Sequence, residues 1–265
     1  MDIIVNEFGK DLETIVSQLN FIDELRSFSS CSPLVPKGTD DDFLAAARDI
    51  HANAKLIHNH LPIISGTLIL YTCGRFESMA RTLFEDLCQR LVSKADKFDS
   101  LPKKMRDNLT IYTAKIIAEP RKYGHAENGV RSFVATLAAN LDARSPFSKV
   151  NHECLSITDT NMRAEALNDL FARVGAEKVW FRISEQAAVK HHFQELDTGT
   201  TEAKAKKKLN ELMDLRNKIA HPAGELDWPS TSTILDYVNF LKIIATALSA
   251  VTLVYEMTLC AEASI

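Results

Sequence analysis

Arg216 and His221 are the side chains in this sequence best suited to chemistry. They lie in Leu209 to Pro222, which reads Leu-Asn-Glu-Leu-Met-Asp-Leu-Arg-Asn-Lys-Ile-Ala-His-Pro. A histidine can give or take a proton near neutral pH. An arginine holds a permanent charge and a planar fork of donors that matches phosphate and carboxylate oxygens. Pro222 disfavours helical geometry at the residue before it, so a helix through Arg216 should stop at or near Ala220. On a wheel of about 100° per residue, Leu209, Leu212, Met213, Leu215, Ile219 and Ala220 share a broad apolar face with Arg216 near its middle. Asn210, Glu211, Asp214 and Lys218 point away. A guanidinium in that position needs a carboxylate partner, a subunit seam or an anion.

The elements that must position this stretch follow from periodicity. Phe8, Leu12, Ile15, Val16, Leu19 and Ile22 recur at helical spacing. The Ser-, Pro- and Asp-rich stretch 27–42 reads as a loop and as a boundary between an N-terminal helical appendage (1–38) and a main helical domain (39–265). A helix is expected over about 41–60, and Pro62 opens the next. That one carries the stripe Cys73, Phe76, Ala80, Leu83, Phe84, Leu87 and Leu91, with Glu77 at its edge as the expected carboxylate for Arg216. Further helices are expected from Pro102 through Ile117, over 130–141, from Asp159 or Thr160 to Val174 with Gly175 as the stop, and over about 184–196. Thr200 or Thr201 is expected to cap the helix carrying Arg216, and a residue of 230–233 to cap a final helix through Tyr255. Residues 119–129 and 145–159 read as loop. No period-two strand pattern or repeat is evident, so the fold class is all-α, a helical bundle with an N-terminal helical extension.

Composition narrows the function. The formal net charge of −4 over 265 residues carries no global nucleic-acid signature, so any such contact must be local. Five cysteines with no CxxC pair read as free thiols in a reducing compartment. The N-terminus lacks the basic start and apolar stretch of a signal peptide. The apolar run 243–255 is shorter than the ~20 residues that span a bilayer and reads as a buried helix. A cytoplasmic protein without a membrane partner is expected.

Arg and His at this spacing occur about once by chance in a chain of this composition, so the spacing alone carries little. The context carries more. Arg216-Asn217-Lys218-Ile219-Ala220-His221 at the end of an apolar helix resembles the motif of ribonucleases in the HEPN superfamily (higher eukaryotes and prokaryotes nucleotide-binding). Those members carry Arg, a polar residue that is often Asn, a few residues, then His. Gly74-Arg75-Phe76-Glu77-Ser78, and Leu167-Asn168-Asp169-Leu170-Phe171 before Gly175, are similar to the RiboL-PSP subgroup. The likeness runs from about Leu61 to the C-terminus.

The resemblance implies a HEPN-like bundle and a metal-independent endoribonuclease that uses no cofactor. Such cleavage needs a base for the 2′-hydroxyl, an acid for the 5′-oxygen and a cation for the phosphate. One His per chain is short of two proton jobs. Five residues of regular helix also turn His221 about 140° from Arg216. The family's answer is a homodimer with a composite site in the cleft, Arg216, Asn217 and His221 being half of it. Glu77 either orients Arg216 or is a rim carboxylate paired with Arg81 at i+4. Family context further suggests a toxin or antiviral effector restrained by an antitoxin or sensor. The competing implication is a non-catalytic HEPN module that binds a partner such as a nucleotidyltransferase antitoxin or sensor.

From Glu202 to His221 there are six Lys or Arg against three acids, so Lys204, Lys207, Lys208 and Lys218 are candidate RNA contacts, or else a solvated helix face. Arg121, Lys122, Tyr123, His125 and Arg131 surround a Gly-containing loop that could hold unstacked bases. The spacing of His51, His58 and His60 does not suit a metal, and the adjacent His191 and His192 point apart, so no metal site is expected.

Overall fold

The computed structural model describes residues 2–32, 42–123, 127–142, 144–158, 161–224 and 226–262, without the side chains of 127, 128, 261 and 262. It is all-α, with no strand among the described residues. In chain order the helices are α1 (Asp2–Ser30), α2 (Asp42–Ile57), α3 (Leu61–Lys94), α4 (Lys103–Ala118), α5 (Glu127–Leu141), α6 (His152–Leu155), α7 (Ala164–Ala172), α8 (Val179–Ser184), α9 (Ala187–Phe193), α10 (Thr198–Ala220) and α11 (Thr231–Glu262).

Four long helices form the frame, with α3 packed on α1, α10 and α11. The stripe expected on α3 is fully or nearly fully buried from Cys73 through Leu91. Pro62 sits in the first turn of α3, where its missing N–H costs nothing. On α10, Leu209, Leu212, Met213 and Ile219 enter the same core, while Leu215 and Ala220 stay half-buried. A second, smaller cluster of Ile116, Phe133 and Cys154 joins α4, α5 and α6. All five cysteines are free thiols.

Phe8, Leu12, Ile15 and Leu19 of α1 belong to the main core cluster, so α1 is built into the bundle. The 38/39 boundary lies outside the described residues. Leu12 is 1% exposed, and its replacement by alanine is expected to cost about 2–5 kcal/mol. In a urea titration of the whole chain, the single main transition should move to lower denaturant. An unmoved main transition with only an early minor phase would make α1 a separate unit.

α11 is long and apolar enough to cross a membrane by length and composition, with a mean hydropathy of 1.7 over its most apolar window. That window is 56% buried inside the bundle, which is the behaviour of a core helix. Ile234, Val238, Leu241, Ile244, Ala245 and Leu248 are buried in the main core, where α11 packs chiefly on α3 and α1.

Several boundaries differ from expectation. Within the stretch 184–196 a shorter helix forms, α9, ended by Gln194 in the left-handed region, and Ser184 closes the separate helix α8. α6 was not foreseen; at four residues it is too short for a periodic signal. α5 begins at Glu127, inside the expected loop, and the 3-10 turn Pro120–Tyr123 occupies more of it. α7 begins at Ala164, and the expected caps Asp159 and Thr160 lie outside the described residues. α10 is capped by Asp197, whose carboxylate accepts from Thr200 N at 2.6 Å, rather than by Thr200 or Thr201. A carboxylate at the cap satisfies the third N–H of the helix and meets the positive end of its dipole. Ser230 caps α11 as expected, its Oγ accepting from Thr233 N at 3.1 Å.

Candidate active site

The end of α10 forms as Pro222 dictates. The helix stops at Ala220, and His221 leaves it with φ −133° and ψ 68° while its backbone N–H still donates to Asn217 O at 3.0 Å. The His221 side chain is exposed, and its ring makes no hydrogen bond among the described residues. Arg216 is half-buried, one turn back along the helix.

Asn217 holds the two sides of this site together. Its Oδ1 accepts from Arg216 Nη1 at 3.1 Å and from Asn161 Nδ2 at 2.6 Å. Two donors aimed at one atom fix that atom as the oxygen, leaving Nδ2 as a donor. Asn161 belongs to the segment that leads into α7, and α10 grips this segment elsewhere too. Asn210 Oδ1 accepts from Ala164 N at 3.0 Å, satisfying an otherwise open N–H at the start of α7. Asp214 forms an ion pair with Arg163, and Trp180 Nε1 donates to Ala164 O at 2.7 Å. Asn210, Asp214 and Asn217 fall on one helical face, so the face expected to point to solvent is in fact the dock for residues 161–164.

The expected ion pair between Glu77 and Arg216 does not form. Glu77 pairs instead with Arg81, one turn further along α3, at 2.6 Å. Arg81 also donates to Thr158. A partner at i+4 on the same helix is already within reach and needs no inter-helix fit. Glu77 and Arg216 are nonetheless neighbours of one thiol: burial pushes Cys73 up to about 12, Arg216 opposing this rise and Glu77 adding to it. Cys73 therefore stays protonated and acts as packing.

The basic run is also more occupied than the sequence suggests. Lys204 pairs with Glu195 at 3.0 Å, Lys206 with Glu202 at 2.5 Å and Lys207 with Glu211 at 3.7 Å. Lys208 pairs with Asp236 at 2.8 Å and lies over the rings of Phe193 and Phe240. Lys208 thus ties α9 and α10 to α11, and the deep placement of Lys208, 17% exposed, is a structural one. Lys218 is exposed and has no carboxylate within ion-pair distance among the described residues.

Arg121 and Arg131 are exposed and Tyr123 is half-buried; Lys122 pairs with Glu119, and His125 lies outside the described residues. His51 and His58 are structural. His51 Nε2 meets Cys31 O at 2.9 Å and His58 Nδ1 meets Ser29 Oγ at 2.7 Å, which ties α2 and the turn after it to the end of α1. No group of three potential metal ligands occurs among the described residues.

Gly66 and Trp228 carry a role that sequence reading missed. The loop after His221 returns across α3, and the Trp228 ring lies where a side chain at 66 would be, 2.3 Å from its Cβ position. Thr231 Oγ1 then donates to Asp23 Oδ1 of α1 at 2.9 Å. The chain leaving the catalytic histidine candidate is pinned to two frame helices. A helical glycine facing an aromatic residue far along the chain leaves no local periodic trace.

An all-α bundle with an Arg-Asn-x-x-x-His stretch at the broken end of an apolar helix defines a protein of the HEPN class. The family model RiboL-PSP-HEPN matches residues 41–251, and the chain belongs to that family. The match includes Arg216 through His221 and most of α11, while α1 precedes it. No curated protein and no solved structure matches the chain. Membership ties the protein to a superfamily generally related to ribonucleases.

Proposed function

We propose that this protein is a metal-independent endoribonuclease that acts as a homodimer. The observation that carries the proposal is the arrangement at the end of α10: Arg216 held through Asn217, and His221 exposed just past the helix end with no side-chain partner in its own chain among the described residues. Arg216 meets the phosphate, Asn217 Nδ2 donates to one of its oxygens, and His221 moves a proton. The second proton group is the His221 of the other subunit. The 2′-hydroxyl attacks its own phosphorus as it loses its proton; the P–O5′ bond breaks and the 5′-oxygen gains a proton, leaving a 2′,3′-cyclic phosphate and a 5′-hydroxyl. Glu77, held by Arg81, takes no direct part.

Exposed apolar side chains support a second subunit. Phe43, Ile50 and Leu56 of α2 and Ile63 and Ile64 in the first turn of α3 all lie open to solvent. A toxin or defence effector in the cytoplasm, restrained by an antitoxin or sensor, is the biological role this activity would suit. A second reading is favoured by the paired lysines: with Lys204, Lys206, Lys207 and Lys208 neutralised from within, α10 could serve a non-catalytic module that docks on a protein partner. Incubating the purified protein with total RNA and EDTA separates the two. The enzyme gives EDTA-resistant fragments with cyclic phosphate ends, and its expression is toxic unless His221 is replaced. An intact RNA pool in every setting leaves the binding module.

A further inference from the structure

A cleft of about 820 Å³ in the bundle lies far from the Arg216 site. It opens between the first turn of α4, the loop joining α7 to α8, and the last turns of α11. Along α11, Thr231 near the His221 loop is separated from Tyr255 in this cleft by about 36 Å, at 1.5 Å per residue.

Its lining is strongly basic in a chain of net charge −4. Lys103, Lys104 and Arg106 from the start of α4, and Lys178 and Arg182 from the start of α8, converge on it. Asp99 and Glu177 in the lining are taken by Arg106 at 2.9 Å and by Lys104, and Glu185 just outside it is taken by Arg182 at 3.2 Å. Lys103 and Lys178 have no carboxylate within ion-pair distance among the described residues. Arg106 Nε is buried there without an acceptor among the described residues. The first turn of α4 adds open N–H groups: Pro102 supplies no side-chain cap and the turn holds no acid. Phe181 gives the wall a partly exposed apolar surface, 37% exposed.

Converging like charges around a concave space repel one another, and a compact ligand with several negative charges relieves this. We propose that this cleft is a binding site for a compact polyphosphate, either a free phosphate chain or the triphosphate tail of a nucleotide. It is independent of the ribonuclease reading, because none of its residues belongs to the α10 site.

The test is calorimetric titration of the full chain with tripolyphosphate, ATP, adenosine and a 2′-O-methyl oligoribonucleotide. The proteins compared are wild type, Lys103→Glu/Lys178→Glu and His221→Ala. Tripolyphosphate and ATP should bind, adenosine should not, and the double variant should bind at least about tenfold more weakly. His221→Ala should bind like wild type. Tighter binding of ATP than of tripolyphosphate assigns the nucleotide; equal binding assigns the phosphate chain. The proposal is overturned if neither phosphate ligand binds at millimolar concentration, if the double variant binds undiminished, if His221→Ala abolishes binding, or if only the oligoribonucleotide binds. Circular dichroism checks folding, and Lys103→Gln/Lys178→Gln reads the same loss should charge reversal disturb the fold.

Discussion

Replacing His221 by alanine is expected to reduce RNA cleavage by about 10²–10⁴-fold and to leave the melting temperature unchanged. The two halves of that expectation have separate grounds. The His221 side chain is exposed and makes no hydrogen bond among the described residues, so its removal disturbs no packing. The backbone N–H that closes α10 onto Asn217 O is retained in the variant. What is lost is the proton-transfer group. In the composite site the substitution removes it from both subunits at once, so the effect should lie toward the upper end of that range. Arg216→Lys should also be poor. An ammonium keeps the charge but cannot span phosphate and Asn217 Oδ1 with a planar fork. Initial rates on a labelled RNA in EDTA, measured beside thermal melts, check both statements. Full activity in His221→Ala would remove the histidine from the mechanism.

The second large effect is expected at Gly66, remote in sequence from every polar group of the site. A Cβ at this position would lie 2.3 Å from Trp228 Cε3 and 2.8 Å from Cζ3. Both atoms belong to a rigid ring, and the other side of the contact is the backbone of α3. Gly66→Ala should therefore cost about 1–3 kcal/mol, a fall of roughly 3–10 °C in melting temperature. Cleavage should fall by more than the stability loss explains. Trp228 anchors the loop that leaves His221, and a displacement near 1 Å can cost about 100-fold in rate. Gly9→Ala is the control of opposite sign. Gly9 lies within α1 with nothing within 4 Å of its Cβ position, so alanine should stabilise by about 0.5–1 kcal/mol. Trp228→Ala in the Gly66→Ala background should recover part of the stability, since it removes the collision. Equal melting of Gly66→Ala and wild type would show that the ring does not rest on the helix.

The residues explain which of these features a sequence can reveal. Pro222 limits the end of α10 through a steric rule between adjacent residues, so the break at Ala220 was readable. The α3 stripe was readable because a buried helix repeats its apolar contacts every turn. Glu77 shows where such reasoning stops. A wheel gives the direction of a carboxylate but not which of two cations reaches it, and Arg81 on the same helix holds it. The lysines divide in the same way. The pairs Lys206–Glu202 and Lys207–Glu211 follow from spacing along α10. Lys204–Glu195 and Lys208–Asp236 depend on how α10 meets its neighbours. The dock formed by Asn210, Asp214 and Asn217 was hidden because a polar face in contact with a loop has the same composition as one in water. Arg216 itself was informative for the opposite reason: a permanent charge amid apolar side chains demands an explanation.

The most direct test of the proposed composite site is the position of the two His221 side chains in a crystal structure with an uncleavable 2′-O-methyl RNA. Both imidazoles should lie within hydrogen-bond reach, about 2.6–3.2 Å, of oxygens at one scissile phosphate. The Arg216 guanidinium of at least one subunit should contact the same phosphate. Two His221 rings on remote faces of the assembly, or a phosphate held by one chain alone, would contradict a shared site.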